Sequence, residues 1–168
     1  HAYDLDTLGG GGFRVRLARE GERLVTLDEV ERTLTVDDLL ICDAHDTPIG
    51  LAAIMGGRDS EISESTTTIA LETAWFEPTQ IMRSVVRCGL RSEASARFER
   101  GVDPRGIEHG VALFVALLRE TCPDLVVHDG FVDARSEHLP SPVTLTVRPA
   151  RVSALLGAEF IADDVRRL

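Results

Sequence analysis

The sequence has no lysine and no asparagine among its 168 residues, so all 18 basic side chains are arginine. Cysteine is scarce as well: Cys42, Cys88 and Cys122 are odd in number and widely spaced, with no CxxC pair. That excludes a disulfide framework or a zinc knuckle as the basis of the fold, and the three read as buried free thiols. Positive charge is short, since 28 acidic against 18 basic residues leave a formal net charge of −10. This balance excludes a protein whose whole surface is a nucleic-acid or membrane footprint, while leaving room for a local basic patch. No apolar run approaches the roughly 20 residues that span a bilayer, and no signal-peptide pattern opens the chain, so a cytoplasmic location without a membrane partner is expected. What is present is a hydrophobic content of 43%, enough for a core and too much for a disordered acidic tail. The length suits one ordinary domain, or one plus a fragment. A first residue His1 in place of Met and an end at Leu168 within a helical pattern suggest an excised piece of a longer chain.

From Phe13 to Phe76 the hydrophobic period is mostly two, which predicts five or six strands: Phe13 to Ala18, Arg23 to Leu27, Arg32 to Val36, Leu39 to Cys42, Ile49 to Met55 and Thr67 to Phe76. Turn residues separate them, and the nearly all-apolar Ile49 to Ile54 marks a central strand. At Glu77-Pro78 the period becomes 3.6. Pro78 suits a first helical turn, and Ile81, Val85 and Cys88 with Met82 and Val86 form an apolar stripe up to Gly89. A second helix runs from Glu93 to Arg100 and ends at Gly101; Asp103 and Pro104 open a third that reaches Thr121, with Ile107, Val111, Phe114, Val115 and Leu118 along one side. Leu125 to Val132 reads as a further strand, residues 136–142 as a linker, Val143 to Val147 as a strand, and Pro149 to Leu156 and Ala162 onward as helices. Strands followed by helices place the chain in the α+β class with layered, mostly antiparallel sheets. Residues 143–168 are too few for a core of their own and read as the start of a second, truncated domain.

Between Arg83 and Arg105 six arginines face three acids, a local excess of three positive charges. Arg83, Arg87 and Arg91 fall at i, i+4 and i+8, so they are expected on one helix face, either as a phosphate-binding stripe of guanidinium forks or as a solvated face paired with Glu93, Glu99 and Asp103. Asp43-Ala-His45-Asp46 has the residue types of a metal site but sits where a turn is required, and turn chemistry is the expectation. Gly9 to Gly12 lacks the strand before and helix after that a phosphate-binding loop needs, and reads as a flexible connector. Glu72 interrupts the most β-prone run of the chain with Ala70 and Ala74 beside it. It either lines a pocket as an acceptor or forms a salt bridge with one of the arginines, and burial without a donor would cost several kcal/mol.

Taken together, His1-Ala-Tyr-Asp-Leu-Asp6, Ala52-Ala-Ile-Met-Gly-Gly57, Leu71-Glu-Thr-Ala-Trp-Phe76 and above all Glu93-Ala-Ser-Ala-Arg-Phe-Glu-Arg-Gly-Val-Asp-Pro104 resemble the central region of the bacterial phenylalanyl-tRNA synthetase beta chain family. The resemblance covers about residues 1–130, and residues 143–168 look like the opening of the next small module. It implies a three-layer β/β/α sandwich, with an editing module over residues 1–135, and a local activity of hydrolysing Tyr-tRNA made in error; the runner-up is a non-catalytic scaffold for tRNA or the alpha chain.

By the same resemblance, Glu72 matches the glutamate that recognises the tyrosine hydroxyl and His1 the editing-site histidine. Gly56 and Ala94 match pocket-lining positions, and Ser92 falls where threonine is frequent. Backbone N–H groups near Gly56 are expected to stabilise the oxyanion, and Arg83, Arg87 and Arg91 to guide the end of the tRNA. Ala53 and Glu29 stand where glycine is common. The implied partners are the alpha chain, in an assembly of two alpha and two beta chains, and tRNA(Phe). No metal or cofactor is expected in this piece, while ATP and Mg are expected for the whole enzyme.

Overall fold

The computed structural model describes residues 1–167. The chain forms two compact units, His1–Gly130 and the stretch from Phe131 onward. The first holds eight strands, β1 (Ala2–Asp4), β2 (Phe13–Leu17), β3 (Arg23–Val25), β4 (Glu31–Thr33), β5 (Leu39–Asp43), β6 (Pro48–Leu51), β7 (Met55–Gly56) and β8 (Ile69–Leu71), followed by α1 (Pro78–Cys88), α2 (Glu93–Phe98) and α3 (Ile107–Thr121). The second holds α4 (Pro149–Leu156) and α5 (Ala162–Arg167). Every strand pair is antiparallel: one sheet has the order β2-β5-β6-β7, and β1-β8 and β3-β4 form two-stranded sheets. This is the layered α+β class expected, with the helices C-terminal to the strands. No described helix is long and apolar enough to cross a membrane.

The core is the interior of the first unit. Leu40, Ile41 and Cys42 of β5, Ile49 and Leu51 of β6, Leu24, Leu34, Ile54 and Phe76, and Ile81 and Val85 of α1 are all buried. β6 lies between β5 and β7, as its apolar run predicts. Pro78 starts α1, the Glu77 carboxylate accepts from Gln80 N (2.7 Å), and Gly89 closes the helix in the left-handed region at φ 58°, where a Cβ would be strained.

Several expectations are corrected. The run Ile49 to Met55 is broken into β6 and β7 by a tight turn, with Ala53 at φ 59°. Thr67 to Phe76 contributes only Ile69–Leu71, because β8 has a partner just long enough for three residues, the unforeseen β1. Leu125 to Val132 and Val143 to Val147 form no strand. Period-two patterning needs a second edge to satisfy the backbone, and without one Val126, Phe131, Val132, Val143 and Leu145 stay exposed. The apolar stripe of α1 is narrower than predicted: Met82 and Val86 face solvent, and Ser84 is buried beside Ile81 and Val85. Gly9 to Gly12 is not a loose connector. It makes a single ordered turn against the Asp43–Asp46 turn, with Ala44 N donating to Gly9 O (3.0 Å) and no room for a Cβ at Gly9 beside Asp43 and His45. The turn itself is held by Asp43 Oδ1, which accepts from His45 N and Thr47 N, both at 2.9 Å.

Candidate functional site

The β1–β8 ladder runs one residue beyond its strands: Glu72 N donates to His1 O (2.8 Å) and His1 N to Glu72 O (2.7 Å). Tyr3 is opposite Ala70 in the register. Directly opposed residues share a face and alternate residues return to it, so His1, Tyr3, Ala70 and Glu72 stand on one face. Diagonal across it, the Tyr3 hydroxyl donates to Glu72 Oε2 (3.5 Å). Beneath lie two glycines that pair with each other, Gly50 of β6 and Gly56 of β7. A Cβ at Gly56 would lie 2.6 Å from both Cε1 and Nε2 of His1, and one at Gly50 would lie 3.3 Å from the Tyr3 hydroxyl. The missing side chains leave the space that the imidazole and the phenol occupy. The His1 and Tyr3 rings are 4.5 Å apart, and Tyr3 in turn packs on Phe13 at 5.2 Å.

Glu72 makes no ion pair with an arginine among the described residues, so the salt-bridge alternative does not hold. Burial pushes its carboxyl above the usual range, against the opposing charge of the His1 amino group and the hydrogen bond from Tyr3. Burial and then the Glu72 charge push the Tyr3 phenol up as well, so Tyr3 keeps its proton and acts as the donor. Glu72 Oε1 accepts no hydrogen bond in the described chain. It is not sealed off either, since the only buried, unpartnered side-chain polar atom among the described residues is Arg32 Nε. One carboxylate oxygen is thus engaged and the other open.

Ser92 reaches the same corner by another route. It caps α2, accepting from Ser95 N (3.1 Å), and its hydroxyl donates to Ile54 O (2.5 Å), two residues before Gly56. That hydroxyl thus caps α2 and, through its one proton, ties the helix to the turn that carries the glycine floor. Ala94 is exposed in the first turn of α2. Gly57 N donates to Ile49 O (2.7 Å), so this neighbour of Gly56 is not free to meet an oxyanion. Within the first unit, a cleft of about 300 Å³ lies elsewhere, lined by Thr7, Arg23, Glu31, Asp43 and Asp59 among others, and neither His1 nor Glu72 borders it. The space next to Glu72 Oε2 is taken by Tyr3.

The arginine stripe separates in space. α1 stops at Cys88, so Arg91 lies beyond the helix and off its face. Its guanidinium pairs with Glu99. Arg87 grips the fully buried Asp38 through both nitrogens, Nη2 on Oδ1 and Nε on Oδ2 (3.2 Å). Burial alone would raise the Asp38 carboxyl, but Arg87, with the Thr35 N–H and Ser84, holds it below the usual carboxylate range. Arg83 is exposed. Asp38 and Tyr3 are the residues sequence reasoning passed over. Asp38 carries no signal beyond lying four residues after Leu34, whereas Tyr3 is the only tyrosine of the chain and sits two residues from His1.

Comparison with known proteins gives a consistent picture. Residues 1–123 match the B3/4 domain. The chain is 42% identical over 165 residues to the phenylalanine-tRNA ligase beta subunit of Halalkalibacterium halodurans, covering 98% of this chain and 20% of that protein. It is 44% identical over 172 residues to the same subunit of Anaeromyxobacter dehalogenans, and 47% over 178 residues to that of Nitratidesulfovibrio vulgaris, in each case with 100% of this chain and 21% of the relative. The chain therefore spans about a fifth of the length of these curated relatives. The resemblance read from the motifs is borne out.

Proposed function

Since the chain belongs to the B3/4 domain family, we propose that its face of His1, Tyr3 and Glu72 is a hydrolytic editing site that clears Tyr-tRNA(Phe) within a phenylalanine-tRNA ligase beta subunit. The observation that carries this reading is Glu72: a carboxylate just beyond the end of β8, unpaired with any arginine among the described residues, with one oxygen engaged by Tyr3 and the other open. A pocket for phenylalanine excludes tyrosine only by the room it denies one hydroxyl. A second site that hydrogen-bonds that hydroxyl rejects phenylalanine far more strongly, because phenylalanine leaves the acceptor unpaired.

An aminoacyl ester is already activated, so the site has only to position water and stabilise the developing oxyanion. His1, over the bare backbone of Gly56, orients that water and can take its proton. Ser92 supports the turn rather than the substrate, through Ile54 O, and Ala94 stays as a lining position of the α2 turn. Arg83 is the exposed cation left to meet the tRNA end, with Arg87 and Arg91 shaping the surface through their own ion pairs. In this reading residues 143–168 open the following module and the beta chain works with the alpha chain in a two-alpha, two-beta assembly. ATP and Mg²⁺ then serve phenylalanine charging on the alpha chain and engage no residue of this one.

The test is deacylation by the full-length assembled enzyme. Glu72→Ala is expected to slow clearance of Tyr-tRNA(Phe) at least about tenfold while phenylalanine charging persists. Clearance at the unaltered rate would remove Glu72 from the site and favour the alternative, a non-catalytic scaffold for tRNA or the alpha chain.

A further inference from the structure

We propose that Tyr3 is the positioning residue for Glu72, and that by aiming its carboxylate it makes the site selective for an aminoacyl ester whose side chain ends in a phenol. This rests on the editing reading above and assigns the selectivity to a second residue. Tyr3 is only 1% exposed, and a hydroxyl taken that far from water needs a partner. Its partner is Glu72 Oε2, diagonal to it on the same face. The arrangement depends on Gly50, whose missing Cβ would stand 3.3 Å from the phenol oxygen. It depends as well on the ring contacts with His1 and Phe13, which fix the phenol from two sides.

A glutamate side chain has three rotatable bonds, and among the described residues the one hydrogen bond to the Glu72 carboxylate is that from Tyr3. With Oε2 tied to Tyr3, Oε1 remains as the open acceptor. An incoming phenol donates to Oε1 and completes the carboxylate's hydrogen bonding. A phenylalanyl side chain covers Oε1 without a donor and drives off its water. One phenol built into the chain thereby sets the acceptor for another. The groups facing the carboxylate are the Tyr3 hydroxyl and the His1 amino group, with the His1 imidazole over Gly56.

Tyr3→Phe keeps the ring, and with it the packing on His1 and Phe13, and removes only the hydroxyl. In the full-length assembled enzyme it is expected to raise KM for Tyr-tRNA(Phe) on the order of tenfold, with kcat changed far less, and to lower the preference for Tyr-tRNA over Phe-tRNA by a similar factor. Loss of a donor to the carboxylate also moves the Glu72-dependent limb of the pH profile upward. Titration of the ¹³C-labelled Glu72 carboxyl in the same protein reports that shift without turnover, and the midpoint in Tyr3→Phe is expected above that of the wild type. An unchanged midpoint together with unchanged selectivity would overturn the role of Tyr3 and leave the editing reading standing. A wild-type enzyme that clears no Tyr-tRNA(Phe) would overturn the editing reading and the selectivity built on it, whatever the titration shows.

Discussion

Asp38 and Glu72 are both carboxylates taken out of bulk water in the first unit, and they are treated in opposite ways. Asp38, at the start of β5, is gripped by the Arg87 fork, accepts from Thr35 N (2.9 Å) and Thr35 Oγ (3.3 Å), and is held below its ordinary range. Glu72, just after β8, has one long hydrogen bond from a phenol, no guanidinium, and a carboxyl pushed up by burial. A fully satisfied buried charge locks elements together, here α1 onto β5. A partly satisfied one is costly to hold and is therefore found where a ligand completes it. The contrast marks Asp38 as part of the scaffold and supports the proposal that places Glu72 in the site.

The sharpest way to break the contrast is to make Asp38 resemble Glu72. Arg87→Ala leaves a buried aspartate without its cation, a change that typically costs about 3–5 kcal/mol. The wild-type pair adds stability that is fully present above the ordinary aspartate pKa and is lost as pH falls through the depressed folded value. The variant's deficit in chemical denaturation is therefore expected to be large at pH 7 and to shrink in acid as Asp38 takes up a proton. A deficit below about 1 kcal/mol at pH 7 would mean that the fork is a surface contact, worth only what exposed pairs are worth.

At Glu72 the sign reverses. Its folded carboxyl lies above the unfolded value, so stability is present below the ordinary glutamate range and declines as pH rises from there toward the folded pKa. Glu72→Gln removes that decline while keeping an oxygen for the Tyr3 hydroxyl. It is expected to match the wild type at about pH 4 and to exceed it by on the order of 1 kcal/mol at neutral pH, although its clearance of mischarged tRNA falls. A variant less stable than the wild type at pH 7 would show that the ionised carboxylate stabilises the fold, as Asp38 does.

How much of this was legible in the sequence differs between the two corners. Glu72 stood out because a carboxylate between alanines in a β-prone run breaks a local rule. Asp38 broke none, since it sits in a turn where aspartate is ordinary, and its partner is 49 positions away. Local spacing also suggested an arginine stripe through Arg91, although the apolar stripe reaches only to Gly89; α1 does end there, and Arg91 lies beyond it. Periodicity found α3, with Ile107, Val111, Phe114, Val115 and Leu118 on its half-buried side. Yet no described residue after Ser95 is buried, because pattern makes an element and only a partner buries it. The failed strands at Leu125 to Val132 and Val143 to Val147 teach the same lesson about edges. β1 was missed for the converse reason: three residues beside a histidine carry no period, and only β8 makes them a strand.

The smallest expected effect sharpens the comparison from the side of the turn. Ala53 and Glu29 stand in the left-handed region at φ 59° and 62°, where a Cβ costs about 1–2 kcal/mol relative to glycine. Both are positions at which the family resemblance implies glycine, and the positive φ gives that expectation a backbone reason. Ala53 lies in the turn between β6 and β7 that carries the Ile54 carbonyl and the Gly56 floor, and its neighbour Ala52 donates to Leu39 O beside Asp38 (3.0 Å), so this strain sits in the turn that joins the two corners. Ala53→Gly relieves it, but glycine also gains freedom in the unfolded chain, which offsets about 0.5–1 kcal/mol. The net gain in chemical denaturation is then expected near 0.5 kcal/mol, and Glu29→Gly in the β3–β4 hairpin should behave alike. If instead Ala53→Gly lost stability, the left-handed turn would be held by contacts of the Ala53 methyl group, and the corner around Glu72 would be as firmly built as the one around Asp38.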